Sequence, residues 1–113
     1  MPAANYEMNI EQGVDFELPL VFSNGGVPMN LVGYSFRMQI RDYEGVVIFD
    51  GSTSNGKLLL NTSNSTLTIN ISSAETSSFN FEFAKYDLEM VTPTSKVTRI
   101  IQGEVNLSKE VTR

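Results

Sequence analysis

The clearest alternation of apolar and polar residues in this chain is Tyr34-Ser35-Phe36-Arg37-Met38-Gln39-Ile40-Arg41. Successive side chains of a β-strand point to opposite faces, so the four apolar residues would share one face and the polar residues the other. The stretch therefore predicts an amphipathic strand with one buried face.

Further strands are predicted on both sides of this one. Residues 66–71 alternate in the same way, and so do residues 14–22, in which Val14 begins a run of five core-facing positions that ends at Phe22. Pro19 lies within that run and cannot donate a ladder hydrogen bond, which predicts an edge strand or a bulged one.

The connections between these strands carry turn, bulge and helix signals. Residues 43–45 contain a glycine between two strand patterns and predict a hairpin. The alternation of the last strand is disturbed near residues 99–101, and Gly103 lies inside the strand, which together predict a β-bulge or a bend. Ser72 and Glu75 have the spacing of a capping box, so one short helical turn is expected near residues 73–78.

The fold class follows from the number and length of these segments. Seven or eight short strands, with turn signals every 8–12 residues and no helix of ordinary length, are typical of a β-sandwich or small barrel. A length of 113 residues suits one domain over residues 1–113. The prediction is an all-β fold, with two antiparallel sheets packed as a sandwich.

Composition excludes several classes of function. The chain has no Cys and no His, which removes thiol nucleophiles, His-based catalysis and the usual zinc ligands. Its net charge of −5 disfavours binding to a phosphate backbone. The first residues lack a basic start and an apolar run, and no apolar stretch has the length of a membrane span. We therefore expect no nucleic-acid or membrane partner.

Carboxylates remain as candidate chemistry. Asp15 and Glu17 share a strand face, and so do Asp87 and Glu89, but both pairs alternate with core residues and are interpreted as a solvated outer surface. Asp42, Glu44 and Asp50 flank the hairpin and carry carboxylate oxygens of the kind that bind a cation. Turn chemistry explains these residues equally well. We therefore expect no catalytic residue, no metal site and no cofactor.

The remaining hypothesis is that function lies in a surface. Phe79, Phe81 and Phe83 recur with a period of two and form either an exposed binding edge or, as the favoured interpretation, a cap on the sandwich core. The chain ends, residues 1–10 and 106–113, are predicted to be arms with little core to bind, which would dock by strand addition. The candidate interaction residues are Phe79, Phe81, Glu110, Val111, Thr112 and Arg113.

Three segments carry a family resemblance. They are Ile10-Glu11-Gln12-Gly13 near the start, Gly33-Tyr34 with Arg37-Met38-Gln39-Ile40-Arg41 in the middle, and, towards the end, Tyr86-Asp87-Leu88-Glu89 with Glu110-Val111-Thr112-Arg113. In this order they resemble short structural proteins of tailed bacteriophages, especially those of cyanobacterial myoviruses. They are more distantly similar to the immunoglobulin-like N-terminal domain of phage baseplate upper proteins.

The resemblance implies an immunoglobulin-like sandwich in a non-enzymatic virion component, in the tail, baseplate, neck or head surface. Its partners would be other phage structural proteins, and a homo-oligomer or ring is expected on a symmetric particle. Such a protein would be assembled in the host bacterial cytoplasm and located in the virion. The alternative is a carbohydrate-binding or capsid-decorating β-sandwich module.

Overall fold

The structure is a computed structural model that describes residues 3–111. Eleven strands and one helix lie within this range. They are β1 (Ala4–Asn5), β2 (Met8–Glu11), β3 (Phe16–Val21), β4 (Ser23–Asn24), β5 (Val27–Pro28), β6 (Ser35–Arg41), β7 (Val47–Ser52), β8 (Leu58–Asn61), β9 (Thr66–Ile71), α1 (Ser73–Ser78), β10 (Phe83–Val91) and β11 (Val97–Ser108). The excess over the seven or eight strands expected comes mainly from two-residue strands.

Two sheets form the sandwich. The large sheet has the strand order β1-β11-β10-β6-β7, with β2 also paired to β11, and the small sheet has the order β3-β9-β8. Strands β4 and β5 form a separate hairpin. The prediction of an all-β sandwich is confirmed. The sheets pair antiparallel except at one edge, where β1 and β2 both run parallel to β11.

The core lies between the two sheets. Strand β6 contributes Phe36, Met38 and Ile40, which are all buried, as its alternation predicts. The small sheet contributes mainly β9, whose apolar side chains are Leu67, Ile69 and Ile71. Because the two inner faces meet here, the outward side chains of β6, β10 and β11 are left on the surface of the large sheet.

Strand β3 is an edge of the small sheet, paired only with β9. This confirms the prediction made from Pro19, whose missing N–H is tolerated at a sheet edge. The strand begins at Phe16 and not at Val14, which is 47% exposed. The expectation that Val14 faces the core is therefore wrong.

The predicted irregularity in β11 is a β-bulge. The pairing of β10 with β11 shifts register so that Leu88 opposes Ile101 while Glu89 opposes Arg99, which leaves Ile100 as the extra residue. Glycine at position 103 is needed for a different reason. A Cβ at this position would collide with the backbone carbonyl of Tyr6, in the link between β1 and β2.

Helix α1 confirms the capping box. The Ser72 side chain accepts a hydrogen bond from the backbone N–H of Glu75, and the Glu75 carboxylate accepts one from the backbone N–H of Ser72. The helix is anchored by Thr76, which is fully buried and donates to the backbone carbonyl of Val14. The helix therefore fastens the turn between β2 and β3 to the body.

The chain ends differ from the arms expected at residues 1–10 and 106–113. Met8 and Ile10 are buried in the core, and β2 pairs with residues 105–108 of β11, where Leu107 is also buried. For the described parts of these segments, residues 3–10 and 106–111, the expectation that they have little core to bind is therefore wrong. The short alternation around Met8 and Ile10 offered only two apolar positions, too few to recognise as a strand.

Candidate functional site

The outward side chains of β6, β10 and β11, which we call the outer face, form ordered rows across the large sheet. The strand register defines three rows of polar side chains. The first is Arg37–Glu89–Arg99, the second is Gln39–Asp87–Gln102 and the third is Arg41–Lys85–Glu104. Side chains in such rows are direct cross-strand neighbours and interact with one another.

Two ion pairs lie in the first two rows: one is within the first row, and the other joins the first row to the second. The Nε of Arg37 lies 2.6 Å from a carboxylate oxygen of Glu89. The Nε of Arg99 lies 3.4 Å from a carboxylate oxygen of Asp87. Both carboxylates of β10 therefore have a cationic partner within the chain, which agrees with the interpretation of Asp87 and Glu89 as surface residues.

The third row is unbalanced, because Arg41 and Lys85 oppose each other in the register. Within residues 3–111 neither has a carboxylate oxygen within ion-pair distance. Arg41 is held by neutral acceptors, since its guanidinium donates to the side-chain oxygen of Gln39 and to the carbonyl of Gly45. Like charges directly opposite each other on a sheet are destabilising, so this row is the least satisfied part of the outer face.

Tyr43 lies beside the third row, at one end of the outer face. Its hydroxyl donates a 2.9 Å hydrogen bond to the carboxylate of Glu104, and this bond raises the pKa of Tyr43, with small further contributions from burial and from the charge of Glu104. The ammonium of Lys85 lies 5.9 Å from the centre of the Tyr43 ring. Glu104, the neighbour of Lys85 on β11, is thus held by Tyr43, and within residues 3–111 it forms no ion pair with Lys85.

A shallow depression of about 560 Å³ lies over the middle of the outer face, lined mostly by charged and polar side chains: Arg37, Met38, Gln39, Arg41, Asp50, Lys85, Tyr86, Asp87 and Glu89. Beneath it, Tyr86 points inward and donates to the carbonyl of Tyr6 at 2.6 Å. Burial raises the pKa of Tyr86 to about 12, with a smaller contribution from Tyr6. Tyr86 therefore supports the depression from below as a neutral phenol.

The aromatic residues singled out in the sequence lie at the end of the core. Phe79 is 3% exposed, as expected for a cap on the core, so it has almost no surface to offer a partner. Phe81 is half-buried, with its ring centre 5.6 Å from that of Phe79. Phe83 is 48% exposed. Of these three, Phe83 presents the largest exposed fraction.

The candidate residues at the C-terminus divide into two pairs. Thr112 and Arg113 lie outside the described residues. Val111 is exposed, whereas Glu110 is half-buried and its backbone N–H donates to the side-chain oxygen of Gln12. The amide nitrogen of Gln12 donates in turn to the carbonyl of Phe79. Gln12 thus joins the C-terminal segment to the loop after α1.

Two further carboxylates that the sequence singles out, Asp15 and Asp42, have structural partners. Asp15 accepts a hydrogen bond from the backbone N–H of Ser73 at the start of α1. Asp42 accepts from the backbone N–H groups of Glu44 and Val46, which is the turn chemistry expected of it. Across residues 3–111, no group of three or more His, Cys, Asp or Glu side chains is placed to hold a metal ion.

Glu75 is the carboxylate whose pKa is lowered. Its burial would by itself raise the pKa, but this is outweighed by hydrogen bonds from the Lys57 ammonium and from Ser72, together with the Lys57 charge. The ammonium of Lys57 lies 2.6 Å from the Glu75 carboxylate. This ion pair links α1 to the start of β8 and belongs to the scaffold.

The rows of the outer face could not be read from the sequence. Each strand shows which residues point outward, but the row in which a residue lies depends on the register between β6, β10 and β11. The bulge at Ile100 also shifts the pairing of β11 with β10 by one residue, so that Arg99 lies opposite Glu89.

Comparison with known proteins does not extend this description. The chain matches no protein-family model, and a search of curated proteins finds no significant match. None of the helices within residues 3–111 is long and apolar enough to cross a membrane.

Proposed function

We propose that this chain is a non-enzymatic structural component of a tailed bacteriophage virion that assembles through protein–protein contacts. The family resemblance supports the proposal, and its segments lie on several elements of the fold. Gln12 and Gly13 lie in the turn after β2, and Arg37 to Arg41 are on β6. Tail, baseplate, neck and head surface are all compatible positions.

The observation that carries the proposal is the character of the outer face. Pockets for small molecules are mostly apolar and enclose their ligand. The depression here is shallow, and most of its lining is charged or polar. Ordered rows of charged side chains on a rigid sheet are suited to a macromolecular partner with complementary charges.

The strand order supports the finer assignment of an immunoglobulin-like sandwich. The order β11-β10-β6-β7 corresponds to strands G-F-C-C′ of a variable-type domain, and β3-β9-β8 corresponds to B-E-D. Domains of this type carry function on exposed sheet faces and loops. We therefore place the contact surface on the outer face and not at the chain ends.

The test is to look for the chain in particles. Tailed particles are purified from the host that carries the coding sequence, and their proteins are quantified by mass spectrometry. We expect the chain at a fixed ratio to the other structural proteins and gold-labelled antibody at one position on the particle. Intact particles that contain the other structural proteins but not this chain would contradict the proposal.

A carbohydrate-binding module is the second candidate, and one observation favours it. Tyr43 is 60% exposed at the rim of the depression, and Phe83 is also exposed. Sugars stack on such aromatic rings. Binding on a glycan array that is lost in Tyr43→Ala and kept in Val97→Ala, an exposed position on β11, would favour this candidate over the first.

A further inference from the structure

We propose that the outer face binds a second copy of this chain across a two-fold axis that runs parallel to the strands, above the line between β10 and β11. This inference rests on the proposed function, which requires assembly through protein contacts, and it names the surface and the partner. It follows from three features of the outer face: its charge relative to the rest of the chain, the order of charges within its rows, and the unsatisfied Lys85.

The balance of charge favours this face for contact between copies. The whole chain has a net charge of −5, so two copies repel each other on average. On β6, β10 and β11, however, four outward cations accompany three outward carboxylates. The cations are Arg37, Arg41, Lys85 and Arg99, and the carboxylates are Asp87, Glu89 and Glu104. The excess of negative charge therefore lies elsewhere, and repulsion is weakest where two outer faces meet.

The order of charges within the rows is self-complementary. The proposed axis lays each row over the same row of the second copy, with the strand order reversed. Position by position, β10 then faces β11 of the second copy. Glu89 faces Arg99 of the second copy, Asp87 faces Gln102, and Lys85 faces Glu104. Each of these three pairs joins a carboxylate to a hydrogen-bond donor, and the axis generates each pair twice.

The same order of charges favours an axis parallel to the strands over an axis perpendicular to them. A two-fold axis perpendicular to the strands, through the middle row, would place Asp87 over Asp87 of the second copy. It would also place Arg37 over Arg41. Like charges in contact oppose binding about as strongly as the attractive pairs favour it. The axis parallel to the strands opposes no like charges among the facing residues of β10 and β11.

The second copy also completes the unbalanced row. In the single chain, Lys85 lies between Arg41 on β6 and Glu104 on β11, and within residues 3–111 it has no ion pair. The carboxylate of Glu104 in the same chain is turned to the Tyr43 hydroxyl. Glu104 of the second copy would bring a carboxylate over Lys85, and the reciprocal contact would form at the other end of the interface.

The size of the outer face determines how tightly we expect the two copies to bind. Three rows on three to four strands cover roughly 20 × 20 Å at ordinary strand spacings, so the contact buries on the order of 800 Å² in total, which is below the size of stable specific interfaces and in the range of weak, transient ones. The contact is also polar. We therefore expect a dimer that dissociates at micromolar concentration and is weakened by salt.

The experiment exchanges charges at one contact. Purified full-length protein is studied by analytical ultracentrifugation at low salt in five samples: wild type, Lys85→Glu, Glu104→Lys, an equimolar mixture of these two variants, and Lys109→Glu. Lys109 is exposed and lies outside the outer face, so Lys109→Glu is the control with the same change of net charge as Lys85→Glu.

We expect wild type and Lys109→Glu to form a dimer, and each outer-face variant alone to be at least tenfold weaker. The mixture should recover the dimer as a one-to-one heterodimer. At one contact the carboxylate introduced at position 85 would face the ammonium introduced at position 104, and at the other the unchanged Lys85 and Glu104 would pair. A mixture that stays monomeric while wild type is dimeric would overturn the proposal, and so would single variants that associate like wild type.

One further readout, the salt dependence of the wild-type dimer, keeps the failures distinct. Raising the salt concentration from 0.05 M to 0.5 M should weaken the wild-type dimer about tenfold, and this measurement needs no variant to fold. Salt-independent association would overturn the proposed contact. A wild type that is monomeric throughout would also overturn it, whereas the proposed function fails only if the chain is missing from intact particles.

Discussion

On β6, the inward Phe36, Met38 and Ile40 are fully buried, whereas the outward Arg37 and Arg41, on the same strand, remain exposed. The inner face is satisfied by packing against the small sheet. The outer face is satisfied by ion pairs in two rows and left unbalanced in the third. The difference indicates that one face of the large sheet supplies stability, and that the other is available for contact with a partner.

The largest expected effect is on the inner face. Phe36→Ala removes a fully buried ring that packs 5.4 Å, between ring centres, from Phe22. We expect the free energy of unfolding to fall by about 3–5 kcal/mol, since a cavity remains in the core. Denaturant unfolding followed by circular dichroism measures this. A loss below about 1 kcal/mol would show that the inner face does not dominate stability.

The next effect concerns the edge of the large sheet where Tyr6, in the link between β1 and β2, lies against β11. Gly103→Ala would place a Cβ against the carbonyl of Tyr6, so this link has to move. We expect a loss of about 1–3 kcal/mol, the usual range for overpacking. Gly26→Ala is the comparison variant in which no atom obstructs the Cβ, although its positive φ adds strain. An unchanged midpoint for Gly103→Ala would contradict the close approach.

A smaller effect is expected for Tyr86→Phe, which removes the hydrogen bond to the Tyr6 carbonyl. The cost at neutral pH is about 1 kcal/mol. Because the pKa of Tyr86 in the folded protein is raised to about 12 from 10.0, its contribution is complete below pH 10 and is lost as the pH rises towards 12. The alkaline loss of stability should therefore be smaller in Tyr86→Phe than in wild type.

The smallest effect on stability is expected on the outer face itself. Arg37 and Glu89 form an ion pair whose side chains are 55% and 27% exposed. Exposed pairs contribute about 0–1 kcal/mol, so Arg37→Ala should shift the unfolding midpoint only slightly. Thermal unfolding at low and high salt measures this. A loss comparable to that of Phe36→Ala would remove the distinction between the two faces.

Much of the fold could be predicted from local patterns. The alternation at Phe36, Met38 and Ile40 identifies β6, and Ser72 with Glu75 identifies α1, because strand period and capping geometry depend on neighbours in sequence. The bulge near Ile100 was also visible, as a break in alternation. These features require no knowledge of which strands pair.

Features that depend on distant parts of the chain could not be predicted in this way. The parallel pairing of β2 with β11 brings Met8 beside Val105, and no local signal marks it. The sequence predicts that Gly103 allows a bend, whereas in the structure the backbone of Tyr6 leaves no room for a side chain at this position. The rows of the outer face combine three strands, so the contact of Arg41 with Lys85 emerges only from their register.

The most direct test of the account measures stability and association in one variant. Lys85→Glu changes an exposed side chain on the outer face, so its free energy of unfolding, measured on dilute monomer, should stay within about 1 kcal/mol of wild type. Its self-association, measured by sedimentation at low salt, should be at least tenfold weaker. Unchanged association, or association and monomer stability lost together, would contradict the division of roles between the two faces.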